Sequence, residues 1–239
     1  MTMIKLEEVH KKYWVYPAIK DITLSLEIGR IFGIIGENGS GKSTLLRLMA
    51  GLLKPTKGVI TINGEVASRQ TRKHVAYLSD QDYYFPYFTI EELIQYYHSQ
   101  FSDFDSIKAK SIIDFLSLEP TAKIGHLSKG NRGRVKMVMT LSRNAPFLIL
   151  DEPFSGLDPM VRKSILQGLI QFVDLSRQSV ILTTHELKEV ESVLDVAIVL
   201  KEGKLMGRKP VEQIREEQKM SILEWMENLY QEERESMKA

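Results

Sequence analysis

The sequence is organised around residues 31–49, which read IFGIIGENGSGKSTLLRLM. The first five residues form an apolar run that predicts a buried strand, and the last five have the leucine and methionine spacing of a helix. Between them, residues 36–44 match the pattern G-x-x-x-x-G-K-S/T at every defined position. This strand, loop and helix are typical of proteins that bind the phosphates of a nucleoside triphosphate.

The loop residues have the chemistry that a triphosphate needs. Glycines allow successive backbone N–H groups to turn towards an anion, and the start of the following helix adds a partial positive charge. Lys42 supplies a cation for the β- and γ-phosphates, and the Ser43 hydroxyl is placed to ligate Mg²⁺. The residues expected to bind nucleotide here are Gly36, Asn38, Gly39, Ser40, Gly41, Lys42, Ser43 and Thr44. The pattern indicates a nucleotide but does not separate kinases, GTPases, motors and transport ATPases.

The composition is that of a folded globular protein without a strong charge imbalance. The chain has 239 residues, 43% of them hydrophobic, and its 32 Lys and Arg nearly balance its 31 Asp and Glu. The net charge of +1 gives no electrostatic reason to expect binding to nucleic acid or to an anionic membrane. The absence of cysteine excludes disulfides and thiolate metal sites and suits a reducing cytosol. The charged N-terminal residues and the short apolar runs predict neither a signal peptide nor a membrane-spanning segment.

Alternating strand and helix patterns predict an α/β fold around this loop. Residues 3–35 alternate apolar and polar side chains, with turns expected at 16–17 and 27–29, so they predict an antiparallel β lobe. Buried apolar strands that alternate with helices are typical of a mostly parallel sheet. Further strands are expected at 59–62, 75–78, 147–150, 180–183 and 196–200, and helices at 159–175 and 186–193.

A helical segment interrupts this alternation. Thr89 and Glu92 form a capping box at the start of a predicted helix, and a second helix fits residues 106–118. We therefore predict a single P-loop NTPase domain over residues 1–239, with an α-helical subdomain inserted into its core. The C-terminal apolar residues have helical spacing and favour a helix that packs on its own domain. The predicted parts are a core with the antiparallel lobe at 1–88 and 144–209, the helical subdomain at 89–143 and a C-terminal helical tail at 210–239.

Two adjacent carboxylates follow the apolar strand at 147–150. Asp151 and Glu152 stand at its C-terminal end, where α/β sheets bind their ligands. Asp151 is expected to hold Mg²⁺ through water, and Glu152 is expected to polarise the attacking water. Together with the phosphate loop, this pair predicts hydrolysis of the nucleotide.

Three further motifs surround the acidic pair, namely LSKGN at 127–131, SGLD at 155–158 and TTHE at 183–186. In this order and at this spacing, the chain resembles the ATP-binding cassette (ABC) ATPases, the nucleotide-binding subunits of ABC transporters. The resemblance covers nearly the whole chain. It implies that the chain binds and hydrolyses ATP with Mg²⁺ as cofactor.

The resemblance implies that LSKGN is the family signature, which meets the γ-phosphate of a nucleotide held by the opposite subunit. Ser128, Gly130 and Asn131 would make this contact, at a helix start that suits an anion. The sequence has Lys129 where the family usually has Gly, and Asn131 where it usually has Gln. Lys at this place is similar to a branch common in bacterial exporters. Gly133, inside the following helix, is expected to cost about 1 kcal/mol relative to Ala unless close packing needs it.

The resemblance also assigns roles to residues outside the signature. Asp158 is similar to the aspartate that links the two subunits, and His185 to the histidine that contacts the γ-phosphate and holds the attacking water. Tyr13 falls where the family has an aromatic ring that stacks on adenine, and Trp14 and Tyr16 are neighbouring alternatives.

The Q-loop is where the sequence departs most from the family. Asp80 takes the place of the usual glutamine, and Gln81 follows one residue later. A carboxylate can ligate Mg²⁺ but cannot donate a hydrogen bond, so the spacing leaves open which of the two faces the γ-phosphate. The aromatic run at 83–88 falls where the family receives a cytoplasmic helix of the membrane subunit, and some of its rings are expected to be exposed.

We therefore expect the ATPase subunit of a bacterial ABC transporter, and an exporter in view of Lys129 and the compact helical subdomain. The resemblance implies that two copies, or one copy and a close paralogue, sandwich two ATP molecules and drive integral membrane permease subunits. Lys42, Glu152 and His185 would be the catalytic residues. The expected location is cytoplasmic, peripheral on the inner face of the membrane, with no nucleic acid partner.

Two alternatives stand beside this expectation. The first is a soluble ABC ATPase that works without a membrane subunit, as an assembly or repair factor. The second is an ordinary P-loop kinase or GTPase, which would not need the signature at 127–131.

Overall fold

The computed structural model of the chain describes residues 3–81, 84–185 and 187–236. The strands are β1 (Met3–Tyr13), β2 (Tyr16–Glu27), β3 (Ile31–Ile35), β4 (Lys57–Ile62), β5 (Glu65–Val66), β6 (Val75–Leu78), β7 (Phe147–Leu150), β8 (Ser179–Thr183), β9 (Val196–Lys201) and β10 (Lys204–Pro210). The helices are α1 (Lys42–Met49), α2 (Ile90–Gln100), α3 (Ser106–Phe115), α4 (Lys129–Leu141), α5 (Pro159–Phe172), α6 (Leu187–Val190), α7 (Val211–Glu216) and α8 (Ile222–Ser236).

The strands form two sheets, as the sequence predicts. One sheet has the order β2-β1-β4-β5, and its pairs are antiparallel. The other has the order β10-β9-β3-β8-β7-β6, in which β10 alone is antiparallel to its neighbour among the described strands. The predicted α/β fold, with an antiparallel N-terminal lobe and a mostly parallel sheet, is confirmed.

Strand β3 lies in the interior of the parallel sheet and is buried throughout its length. Because side chains alternate across a strand, its two faces join two different cores. Phe32 and Ile34 pack in a cluster with α1 and the antiparallel sheet. Ile31 and Ile35 pack in a second cluster with the helices on the other face. The loop that follows β3 is therefore anchored by packing on both sides of the sheet.

The helices α2, α3 and α4 lie between β6 and β7, which are adjacent parallel strands. The predicted capping box is confirmed, because Thr89 Oγ1 accepts from the Glu92 N–H at 3.1 Å and the Glu92 carboxylate accepts from the Thr89 N–H at 2.7 Å.

The second helix ends at Phe115 and not at residue 118 as predicted. The backbone turns left-handed at Ser117, with φ of 52°, before the proline that suggested the later boundary.

The predicted turn at 16–17 in the first hairpin is wrong. The chain turns at Trp14 and Val15, with a left-handed φ of 55° at Trp14. Pro17 lies inside β2, opposite Lys12. A proline is tolerated there because β2 is an edge strand of its sheet.

The C-terminal segment packs against its own domain, as predicted. Ile222, Trp225 and Tyr230 of α8 are buried in the larger core. Gly207 of β10 lies against Trp225 and Leu229, and a β-carbon at this glycine would stand 2.9 Å from Leu229 Cδ1. None of the helices in the described part of the chain combines the length and the apolar character that a bilayer crossing needs.

Candidate nucleotide site

The loop between β3 and α1 is folded as a tight concave turn. Gly41 has a left-handed φ of 102°, and a β-carbon there would stand 2.6 Å from the Ala18 carbonyl oxygen. Gly36 leaves no room for a β-carbon either, because its α-carbon faces the Leu200 carbonyl oxygen at the end of β9. Both positions require glycine. Asn38 and Gly39 are exposed at the crest of the loop, and Thr44 is half-buried in the first turn of α1.

Lys42 is folded back onto the loop. Its Nζ donates to the carbonyl oxygens of Gly36 at 2.7 Å and Glu37 at 3.0 Å. Burial lowers the pKa of Lys42, while Glu152 and Asp151 oppose this shift. The buried Ser40 hydroxyl has no hydrogen-bond partner in the described part of the chain. An enclosed ammonium and an unsatisfied hydroxyl fit a loop that is completed by an oxygen-rich anion.

Asp151 is fully buried at the end of β7 and is held by three hydroxyl groups. Its Oδ1 accepts from Ser43 Oγ at 2.9 Å and from Thr183 Oγ1 at 3.1 Å. Its Oδ2 accepts from Tyr77 Oη at 3.0 Å. The adjacent hydroxyl and carboxylate oxygens of Ser43 and Asp151 are the ligand types that Mg²⁺ prefers, so this pair fits the predicted metal site.

Two of these partners were not predicted from the sequence. Tyr77 and Thr183 lie on β6 and β8, the strands that flank β7. The signal for Tyr77 is a hydroxyl-bearing residue in an otherwise apolar strand that ends at the same sheet edge as the acidic pair. Burial, and secondarily the charge of Asp151, raises the pKa of Tyr77, so its phenol stays protonated as a donor.

Glu152 and His185 are brought together, as the resemblance implies. His185 Nδ1 lies 2.9 Å from Glu152 Oε1. The Glu152 N–H donates to Thr183 Oγ1 at 3.0 Å, which fixes the backbone of the acidic pair to the end of β8. Burial raises the pKa of Glu152, His185 and Lys42 oppose this, and Asp151 adds to it. The pair could hold and polarise a water molecule. Glu186 of the predicted TTHE motif lies outside the described residues.

The two Q-loop candidates line different cavities. Asp80 lines a cavity of about 220 Å³ together with Glu152, Lys129 and Lys136. Gln81 lines a neighbouring cavity that includes Tyr84. Asp80 is also paired with a residue of α1, since its Oδ1 lies 3.3 Å from Arg47 Nη2.

The signature residues cap and pack α4. Ser128 is the N-cap, and its Oγ accepts from the Asn131 N–H at 3.2 Å. A β-carbon at Gly130 would stand 3.1 Å from Val161 Cγ2 and 3.8 Å from the Asp158 carboxylate. Asp158 in turn caps α5, accepting from the Met160 and Val161 N–H groups at 3.0 Å each.

Close packing also explains the glycine inside α4. A β-carbon at Gly133 would stand only 3.2 Å from Leu157 Cδ1, in the segment before α5. Glycine lowers the helix propensity of α4 at this position, but it allows this close contact. The Lys129 side chain lies over the Gly156 turn of the same segment, and a β-carbon at Gly156 would collide with it. The signature and SGLD motifs therefore form one packed unit.

Tyr13 lies at the end of the first hairpin with 41% of its surface exposed. Lys11 Nζ is 5.4 Å from the centre of its ring. This hairpin end lies next to the phosphate loop, because the Ala18 carbonyl contacts Gly41 of that loop. Ala18 belongs to the hairpin end, since the preceding residue, Pro17, pairs with Lys12. Trp14 and Tyr16, the predicted alternatives, are exposed at the same end.

Comparison with known proteins places the chain in a family. The family model for ABC transporters matches residues 19–155. The chain belongs to the ABC transporter family. It is an ATP-binding cassette of that family and an ATPase, which confirms the resemblance and removes the kinase and GTPase alternative.

Relatives of this ABC cassette include proteins named for opposite directions of transport. An uncharacterized ABC transporter ATP-binding protein of Methanocaldococcus jannaschii is 30% identical over 94% of this chain and 83% of its own length. The Fe(3+) ions import ATP-binding protein FbpC of Pseudomonas fluorescens is 30% identical over 86% of this chain and 61% of its own length. The Nod factor export ATP-binding protein I of Burkholderia orbicola is 30% identical over 84% of this chain and 68% of its own length. These relatives do not determine the direction of transport.

Solved structures of ABC cassettes have the same fold. The structure of an ATP-binding subunit of an ABC transporter superimposes with a TM-score of 0.85 at 24% identity, covering 96% of this chain and all of the other. A dimeric bacterial ABC transporter cassette superimposes with a TM-score of 0.78 at 25% identity, covering 87% of this chain and 98% of the other.

Proposed function

We propose that this ABC cassette is the ATP- and Mg²⁺-dependent motor subunit of a bacterial exporter, which works as a dimer of cassettes on integral membrane permease subunits. The observation that carries the proposal is the convergence of Lys42, Ser43, Asp151, Glu152 and His185 at one edge of the parallel sheet. These side chains supply a cation, a hydroxyl and carboxylate pair and a hydrogen-bonded base within one site.

Each of these residues has a distinct proposed role. Lys42 exchanges its loop carbonyl partners for phosphate oxygens, for which its ammonium is better matched than for neutral acceptors. Ser43 and Asp151 would hold Mg²⁺, Asp151 through water. Bound Mg²⁺ would neutralise charge on the phosphates. Glu152 accepts a proton from the attacking water, and His185 orients that carboxylate and contacts the γ-phosphate.

The remaining predicted residues complete the nucleotide site from both sides. Tyr13 would stack on adenine from the hairpin end next to the loop. Asp80 is the favoured Q-loop residue, because it shares a cavity with Glu152. Ser128, Gly130 and Asn131 lie at the start of α4 in a packed unit with Asp158, and we propose that they grip a nucleotide held by the second subunit.

This arrangement requires a second cassette, either another copy or a close paralogue. ATP would then hold two chains together, and hydrolysis would release them. The proposed division of labour follows the predicted boundaries, with the nucleotide core at 1–88 and 144–209, the helical subdomain at 89–143 and the tail at 210–239.

The proposed contact with the permease is the aromatic segment before α2. Phe85 and Tyr87 are exposed, and Tyr96 of α2 adds a third exposed ring to them. Phe88 is packed beneath, with its ring centre 5.0 Å from that of Phe85. Tyr83 of the predicted run lies outside the described residues. Exposed aromatic clusters are typical of protein contact sites, and this one would bring the cassette to the cytoplasmic face of the membrane.

The direction of transport is proposed on narrower grounds. Lys129 stands in the signature where a branch common in bacterial exporters has lysine, and the helices between β6 and β7 form a compact subdomain. The cargo would be chosen by the permease, so this chain does not specify it.

The substitution Glu152→Gln tests the motor function. It removes the proton acceptor but keeps the side-chain volume, so hydrolysis should fall ~100-fold or more while ATP still binds. The variant should therefore elute as a dimer in size-exclusion chromatography with ATP and Mg²⁺, and as a monomer without nucleotide.

The double variant Glu152→Gln with Ser128→Arg is the matched control. The arginine would occupy the space in which Ser128 is proposed to contact the γ-phosphate of the nucleotide held by the second subunit. It would not touch the phosphate loop of its own chain. It should bind ATP and remain a monomer. A Glu152→Gln variant that stays monomeric at high protein and ATP concentrations, or a double variant that still dimerises, would contradict the proposed sandwich.

A further inference from the structure

We propose that Tyr77 is a positioning residue that fixes the orientation of the metal-binding carboxylate of Asp151. The inference rests on the metal role proposed above for that aspartate. The phenol hydroxyl donates to Asp151 Oδ2 at 3.0 Å, on the opposite side of the carboxylate from Ser43.

The three donors to Asp151 do not have equal freedom. Ser43 is itself a proposed metal ligand, so its hydroxyl has to adjust when the metal binds. Thr183 accepts from the Glu152 N–H and is tied to the backbone of the acidic pair. Both of them bind Oδ1, and Tyr77 binds Oδ2. A carboxylate held at both oxygens has its plane fixed, whereas one held at a single oxygen can still rotate.

Tyr77 is itself held in place by the sheet. It pairs with Ile149 in the parallel register of β6 and β7, and the Asp151 N–H donates to the Leu78 carbonyl at 2.9 Å. The strand that carries the phenol is thus hydrogen-bonded directly to the backbone of the aspartate.

The guanidinium of Arg47 lies beside the phenol, and Arg47 and Tyr77 line the same cavity. A guanidinium has donors but no acceptor, so it cannot take the phenol proton, which is donated to Asp151. Arg47 also lies 3.3 Å from Asp80, so the same chain of contacts reaches the Q-loop position at which this sequence departs from the family.

Groups that hydrogen-bond a metal ligand orient it, and their loss typically weakens metal binding by 10–100-fold. A tyrosine that only filled space in the sheet would have no such effect when its hydroxyl is removed. Metal affinity, measured apart from hydrolysis, separates these two roles.

The test is Mn²⁺ binding to the full chain saturated with ADP, with free Mn²⁺ followed by electron paramagnetic resonance. Tyr77→Phe should raise the Mn²⁺ dissociation constant about 10-fold. Its affinity for ADP in EDTA should remain within about 2-fold of the wild type, because the phosphate loop keeps its contacts. Circular dichroism verifies that the variant is folded.

Two further variants make the outcomes distinguishable. Tyr97→Phe removes the hydroxyl of a partly buried tyrosine of α2 that is not one of the three hydroxyl donors to Asp151, and should leave Mn²⁺ binding unchanged. Asp151→Asn should weaken Mn²⁺ binding more than Tyr77→Phe does. Unchanged Mn²⁺ affinity in Tyr77→Phe, or equal losses in the two tyrosine variants, would overturn the role of Tyr77 and leave the proposed function standing. Unchanged affinity in Asp151→Asn would overturn both.

Discussion

Glu152 combines two conditions that most glutamates avoid. Its backbone has a left-handed φ of 50°, which is strained for a residue with a β-carbon. Its carboxylate, with 14% of the side-chain surface exposed, has a raised pKa because burial disfavours the charged form. Both conditions reduce the stability of the free chain, as is common for groups positioned for chemistry.

This electrostatic condition predicts how Glu152→Gln changes stability with pH. Because the folded-state pKa of Glu152 lies above its ordinary value of 4.5, folding favours the protonated acid. The stabilisation from the protonated form is fully present below pH 4.5 and is lost as the pH rises through the folded-state pKa. Glutamine does not ionise and escapes this loss. We expect the free energy of unfolding of Glu152→Gln to exceed that of the wild type at neutral pH.

Urea denaturation of the nucleotide-free chain between pH 4.5 and pH 8 measures this difference. The advantage of the glutamine variant should grow with pH across this interval. Glu227→Gln, on the exposed face of α8, is the control and should show no such trend. An advantage that shrinks as the pH rises would mean that the pKa of Glu152 is lowered by folding.

The residues of the site could be predicted where a motif fixes both residue type and spacing. Lys42, Ser43, Asp151 and Glu152 belong to such motifs, and the structure places them together. Tyr77 could not be predicted in the same way, because its apolar neighbours indicated only a buried strand. Its contact with Asp151 depends on the register of β6 against β7, which is a property of the sheet.

At the scale of elements, the C-terminus of α1 is a Schellman motif. The Gly51 N–H donates to the Leu48 carbonyl at 3.0 Å, and the Leu52 N–H to the Arg47 carbonyl at 2.9 Å. Gly51 has a left-handed φ of 70° and lies against the backbone of Ser68. The end of the phosphate-loop helix is therefore fixed by a residue without a β-carbon.

Gly51→Ala should destabilise the chain by about 3 kcal/mol, since overpacking adds to the strain of a left-handed alanine. A β-carbon there would stand 2.5 Å from the Ser68 carbonyl oxygen. Gly64→Ala is the matched control, because Gly64 has a similar φ of 84° and nothing within 4 Å of a β-carbon. It should lose only about 1 kcal/mol. Equal losses in chemical denaturation would show that Ser68 moves away without cost.

Element types could be predicted from periodicity better than element ends. The strands of the parallel sheet are apolar runs, and their order along the chain already indicates the fold. The first hairpin turn was misplaced because β1 and β2 pair through several register shifts, which local sequence does not reveal. Likewise, the early end of α3 depends on a left-handed Ser117, a conformation that serine adopts only in context.

At the scale of the whole molecule, α8 joins the C-terminal segment to the phosphate loop. The buried Tyr230 donates its hydroxyl to the Leu200 carbonyl at 2.8 Å. The same Leu200 oxygen faces Gly36. Lys201 and Glu233 form a salt bridge of 2.7 Å beside this contact. Residues from three distant parts of the sequence meet here. The apolar periodicity of the C-terminal segment therefore predicted the helix, but not its contact with the end of β9 beside the phosphate loop.

Tyr230→Phe tests whether the tail helix supports the loop. The change leaves the Leu200 carbonyl without its phenol donor, and a hydrogen bond typically contributes about 1 kcal/mol. We expect the free energy of unfolding to fall by about this amount and the affinity for ATP to fall by up to ~5-fold, because the loop is less ordered before it binds. Tyr96→Phe, at an exposed ring of α2, should change neither quantity. If Tyr230→Phe lowers stability but leaves ATP affinity intact, then α8 supports the sheet and the order of the phosphate loop comes from β3 and α1 alone.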